Sequence, residues 1–136
     1  MGDMDQMTPT MTEKEVNKIS MLGLAHVGDG VYELLVRTWL CQKGHTAIHE
    51  LHKLTVGFVK APAQAAAVAK ISGALTEQET EIYKRGRNTK VHGIPKNAEI
   101  SEYHAATGLE ALFGWLWLTG RTDRINTLFD LIMEEN

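Results

Sequence analysis

From Met21 to Lys43 the chain has no proline, and Leu24, Val27, Val31, Leu34 and Leu35 recur three and four positions apart. That spacing draws one apolar stripe along a helix, which at about 1.5 Å per residue would run roughly 35 Å. Gly44 stands where a left-handed residue would end it. Ahead of it, Thr12 followed three residues later by Glu15 forms a capping-box pattern and predicts a short first helix. Further helical patterns run from about Ala47 to Phe58 and from Ala61 to Ile71, the second rich in alanine and with Pro62 suited to a first turn. Thr76 and Glu79 repeat the capping box and open a helix expected to end near Arg85, after which Gly86 to Asn97 has the composition of a loop. Helical pattern resumes at Ser101. Leu109 to Leu118 is apolar on every side, which requires burial on all faces of a helix, with Gly120 as its cap, and a last amphipathic helix starts at Thr122. No stretch alternates as a strand would and no repeat occurs, so the expected class is all-α.

Residues Met1 to Thr12 are polar and methionine-rich without period, and are read as a disordered tail ahead of one domain spanning 13–136. A chain of 136 residues with 43% hydrophobic content fits a single core. The tail lacks the basic start and apolar middle of a secretory signal. Leu109 to Leu118 falls far short of the roughly 20 residues that cross a bilayer. Cys41 is the only cysteine, which excludes an internal disulfide and suits a reducing, cytoplasmic setting. The net charge of −3 argues against coating nucleic acid by bulk charge. Any such contact has to come from a local patch.

One segment supplies such a patch. Lys84, Arg85, Arg87, Asn88 and Lys90, continued by Lys96 and Asn97, bring together five lysines or arginines without an acid. Such a stretch is either a solvated loop or a track for phosphates and ribose hydroxyls, the features by which double-stranded RNA is mainly read.

Two acids stand in unusual places. Asp29 lies in Gly28-Asp29-Gly30, within an apolar helical stretch where two glycines cost about 1–2 kcal/mol of helix propensity. Either a tight helix crossing offsets that cost, with Asp29 facing a polar rim, or Asp29 is a carboxylate on the core-facing side, beside a bound cation. Glu110 is the one acid between Tyr103 and Leu118, and must find a cation, a hydrogen-bond network, a basic side chain or the surface. A hard, octahedral magnesium ion needs only one or two protein carboxylates and takes water and phosphate for the rest. His45, His49 and His52, with Cys41 one turn earlier, lack the paired cysteines of a zinc site. Glu33 and Arg37 have the spacing of a helix-surface ion pair.

The string Leu22-Gly23-Leu24-Ala25-His26-Val27-Gly28-Asp29-Gly30, followed by Lys84-Arg85-Gly86-Arg87-Asn88, Pro95-Lys96-Asn97 and Leu109-Glu110-Ala111-Leu112-Phe113-Gly114, resembles the ribonuclease III catalytic domain, closest to the Mini-ribonuclease III branch. The likeness spans about Glu15 to Met133, and no double-stranded-RNA-binding domain follows. It implies a helical homodimer with two active sites flanking one RNA duplex, each cutting once through metal-activated water. It also implies that Asp29 and Glu110 are the catalytic, metal-holding carboxylates, with Mg2+ as the cofactor and Mn2+ as a substitute. The substrate implied is the large-subunit (23S) ribosomal RNA precursor, with ribosomal proteins as further partners. Larger members carry additional acids where this chain has Leu22, Ala25 and Thr107. Their absence implies weaker metal binding with water filling the gaps, and motivates the alternative of a catalytically inactive RNA-binding or ribosome-assembly protein on the same fold.

Overall fold

The computed structural model describes residues 5–90, 93 and 99–134. The described residues form α1 (Glu13–Val16), α2 (Met21–Gln42), α3 (Ile48–Val59), α4 (Ala61–Ile71), a 3-10 turn (Ser72–Ala74), α5 (Glu77–Arg87), α6 (Ile100–Leu118) and α7 (Thr122–Met133), with no strand among them. Both capping boxes form: the Thr12 and Thr76 hydroxyls accept from the amides of Glu15 and Glu79, whose carboxylates accept from the cap amides in return. Gly44 and Gly120 close α2 and α6 with φ of 100° and 77°, a conformation open to glycine because it has no Cβ.

Helix α6 is the axis of the fold. Ten consecutive or near-consecutive residues from Ala106 to Leu116 are buried, as an all-apolar helix requires, with α2, α4, α5 and α7 packed around it. Its most extensive contact is with α2. There Tyr32 packs edge-on to Phe113 and Phe129, with ring centroids 5.4 and 5.9 Å away, the arrangement favoured by the ring quadrupoles.

The α2–α6 contact is so close because glycines face each other. A methyl group at Gly28 would fall inside the Glu110 carbonyl oxygen and 2.8 Å from the Gly114 nitrogen, and one at Gly114 would fall inside the Leu24 carbonyl oxygen. The helix-crossing reading of Gly28-Asp29-Gly30 is therefore correct for Gly28. It is Gly28, not Asp29, that occupies the core side: Gly28 is buried and Asp29 is exposed.

Two expectations change. Gly86 does not end α5 but lies buried inside it, because a methyl there would stand 2.8 Å from Ala111 Cβ and 3.0 Å from Gly108 Cα. This glycine serves close packing on α6, and the helix runs on to Arg87. The segment expected to be a disordered tail is fastened at its end: the Met11 amide donates to the Leu118 carbonyl at 2.9 Å, and its side chain packs on the core. The residues just before Thr12 thus belong to the fold.

A buried ion pair joins α5 to α7. Glu79, 3% exposed, accepts from Arg124 Nε at 2.8 Å and Nη2 at 2.7 Å, so the residue that caps α5 also fixes α7. The guanidinium, aided by the cap amide of Thr76, overcomes burial and holds Glu79 below its ordinary range. On the surface Glu33 and Arg37 pair at 3.0 Å, as their spacing predicts.

The glycine crossing generates a contrast. Gly28→Ala should destabilise the protein by about 3 kcal/mol or more, since two backbones have to separate. Gly57→Ala, with open space around it in α3, should stabilise by about 0.5–1 kcal/mol. Urea unfolding of both variants measures the difference, and equal effects would remove the close crossing.

Candidate active site

The crossing that buries Gly28 leaves the next residue of α2 beside the helix it crosses. Asp29 and Glu110, 81 positions apart in sequence, come together on one cleft, close enough for the charge of Asp29 to act on Glu110. They share a cleft of about 360 Å³ with His26, Gln64, Tyr103 and Thr107. Asp29 is exposed on its rim and Glu110 is half-buried in its wall. Of the two readings of Asp29, the one observed is the tight crossing with the aspartate on a polar rim: it faces solvent across the cleft.

The electrostatics of the pair are those of two like charges with too little to neutralise them. Burial, then the charge of Asp29, pushes Glu110 up to about 8. Opposing them is the Gln64 amide, whose Nε2 donates to Glu110 Oε2 at 3.4 Å. Two carboxyl groups this close cannot both ionise cheaply without a cation between them. Their donor set, two carboxylates on an open cleft with a neutral amide behind Glu110, fits a hard oxygen-loving ion such as magnesium. Among the described residues no group of three His, Cys, Asp or Glu side chains gathers around one point.

The positions where the resemblance places further acids in larger proteins, Leu22, Ala25 and Thr107, line this same cleft. Thr107 is buried and turns its hydroxyl onto its own helix, donating to the Tyr103 carbonyl at 3.0 Å. None of the three offers a carboxylate. Gln64 is the cleft residue that sequence reasoning missed. Its one local signal was a polar side chain set among alanines in Ala61-Pro62-Ala63-Gln64-Ala65-Ala66-Ala67.

The basic segment begins on α5 instead of lying wholly in a loop. Lys84, Arg85 and Arg87 occupy the last turn of α5, where cations also complement the helix dipole, and Asn88 and Lys90 follow directly. Lys84, Arg85, Asn88 and Lys90 are exposed, whereas Arg87 is half-buried. Its guanidinium lies 5.6 Å from the Tyr83 ring centre and donates to Asn88 Oδ1 at 3.2 Å. Lys96 and Asn97 lie outside the described residues. His45 pairs with Glu50; His49 and His52 remain on the exposed face of α3.

The raised Glu110 sets a pH dependence for the metal-free protein. The folded state keeps a proton up to about pH 8, which the unfolded chain releases near its ordinary value of 4.5. The folded state binds more protons in that window, so this contribution to stability is full below the lower value and lost as pH rises through the upper one. Thermal melting in chelator should therefore weaken across the window in the wild type and less so in Glu110→Gln. Parallel profiles would mean that Glu110 carries no such proton.

Comparison with known proteins gives this geometry its relatives. The ribonuclease III domain family matches residues 22–121, a span that contains Asp29, the basic turn and Glu110. A protein of Symbiobacterium thermophilum named Mini-ribonuclease 3 is 46% identical over 77% of this chain and 81% of its own. A Thermoanaerobacter protein of the same name is 41% identical over 93% of this chain and 89% of its own. A crystal structure of a Fusobacterium nucleatum protein superposes with a TM-score of 0.77 at 31% identity, covering 84% of this chain and 87% of that one. The chain belongs to the ribonuclease III family and, within it, to the Mini-ribonuclease 3 group of endoribonucleases.

Proposed function

We propose that this protein is a magnesium-dependent endoribonuclease that cuts double-stranded RNA, with Asp29 and Glu110 holding the metal. The observation that carries the reading is the meeting of these two carboxyl groups in an open cleft beside the α2–α6 crossing. The chemistry that a bound magnesium supplies is a lowered pKa for a coordinated water and charge neutralisation at the scissile phosphate. Asp29, exposed, holds one carboxylate toward incoming RNA. Glu110 would hold the ion in its deprotonated form, so its hold on a divalent cation would strengthen as pH rises. Manganese suits the same oxygen donors. With Leu22, Ala25 and Thr107 offering no carboxylate, the remaining coordination falls to water and RNA phosphate.

Lys84, Arg85, Asn88 and Lys90, exposed at the end of α5, grip the duplex through phosphates and ribose hydroxyls, joined by Arg87, Lys96 and Asn97. The likeness to Mini-ribonuclease 3 proteins favours the 23S ribosomal RNA precursor as the substrate and the cytoplasm as the setting. A single cleft makes one cut, so cutting both strands takes two copies. The face of α2 beyond Gly30 offers the surface for the second: Val27, Val31, Leu34, Leu35, Trp117 and Ile125 line an apolar groove of about 370 Å³, with Leu34 56% exposed. An exposed leucine beside a groove of this kind has the character of an interface core. Sedimentation should give twice the chain mass of 15.1 kDa, falling to one chain in Leu34→Glu. A wild-type monomer would remove the dimer.

The functional reading is tested on a defined RNA duplex. Asp29→Asn should abolish cleavage, by a factor of about 1,000 or more, with fold and duplex affinity retained. In the same binding assay, Arg85→Ala with Arg87→Ala should lower the slope of log affinity against log salt by about 2. Full cleavage by Asp29→Asn would sink the mechanism, and an unchanged slope would take the α5 end out of the contact.

A further inference from the structure

Gln64 is more deeply buried than either carboxyl group it accompanies, at 2% exposure. It lies on the inner face of α4 with Ala67 and Ile71, seated against α6, and its amide meets Glu110 Oε2 at 3.4 Å. Among the described residues this is the hydrogen bond its side chain makes. Burying a primary amide is unfavourable unless it is partnered. A methionine or leucine would fill the same space without that cost. The polar residue therefore has a polar task, and the group it touches is Glu110.

The chemistry of the amide suits that task better than the other donors available. A lysine or arginine here would place a positive charge against Glu110 and compete with a cation for it. An aspartate or glutamate would add a like charge to a pair that already repels. A neutral N–H donor holds one carboxylate oxygen while leaving the net charge of the site unchanged. It also leaves the second oxygen, Oε1, unengaged by Gln64. A carboxylate on a half-buried helix face otherwise rotates between equivalent orientations, and fixing one of them pre-organises the ligand.

We propose that Gln64 is a positioning residue, whose amide holds Glu110 Oε2 and thereby sets the orientation in which Glu110 presents its other oxygen to a cation shared with Asp29. The proposal rests on the reading of Asp29 and Glu110 as metal ligands, and accounts for how a site with only two carboxylates keeps a defined geometry. The helix carrying Gln64 thus joins α2 and α6 as a third wall of the active site, although it brings no acid.

The test replaces Gln64 by residues that keep its bulk and remove the amide, Gln64→Met and Gln64→Leu, in the full chain. Mn2+ binding without RNA, followed by the electron paramagnetic resonance of the free ion, should weaken about 10- to 100-fold in both. On duplex RNA at fixed magnesium, kcat should fall while KM for RNA stays unchanged, because the amide lies away from the basic grip. Circular dichroism should report an unaltered fold, and loss of folding in both variants would show that the amide is held for structure and overturn the proposal. Unchanged Mn2+ affinity and kcat in folded variants, with binding lost in Asp29→Asn, would overturn the role of Gln64 and leave the metal reading standing. Mn2+ binding that Asp29→Asn does not weaken would overturn the metal reading, and the role of Gln64 with it.

Discussion

The backbone contact between Gly28 and Gly114 is the constraint from which the rest of the structure follows. Helices carrying ordinary side chains pack with axes about 8–10 Å apart, whereas here a methyl group on either glycine would enter the opposing backbone. That closeness places Asp29, one residue along α2, beside Glu110, one turn before Gly114 on α6. The same crossing lets α6 remain buried on all sides, with α5 pressed against it through Gly86 and Gly108. The helix-propensity cost of these glycines is offset by the packing they allow.

That juxtaposition leaves the site in unresolved tension. Elsewhere the protein satisfies its buried acid fully: Glu79 has a two-pronged guanidinium and a cap amide, and burial is overcome. Glu110 has a like charge and one long amide contact, and burial prevails. Within one small core, one carboxylate is built to be ionised by the protein and the other to wait for something the protein does not supply. The proposed function identifies that missing component as a divalent cation bridging to RNA phosphate, which is why the two acids differ although both lie against α6 or its neighbours.

Much of this was legible in the sequence, for reasons that are local. Apolar spacing defined α2 and α4, the Thr12–Glu15 and Thr76–Glu79 pairs marked helix starts, and Gly44 and Gly120 marked helix ends. What failed did so where tertiary contact outweighed local signal. Gly86 reads as a breaker, yet it lies inside a helix because Ala111 and Gly108 leave no room for a side chain. Local pattern left open whether Asp29 faced the core or a polar rim; the crossing gives the core side to its glycine neighbour. Periodicity could not join Asp29 to Glu110; the motif resemblance did. Neither could find Gln64, 46 residues before Glu110, since no spacing rule says which residue of a third helix meets a given carboxylate.

Magnesium-dependent cleavage of duplex RNA is the direct test of the role proposed for a metal held by Asp29 and Glu110. A defined RNA duplex is incubated with the purified wild-type protein over a magnesium titration and in chelator. The expected result is discrete double-stranded products whose rate of formation rises and saturates with magnesium and vanishes in chelator. Cleavage that persists in chelator, or intact duplex bound by the protein at every magnesium concentration, would contradict it.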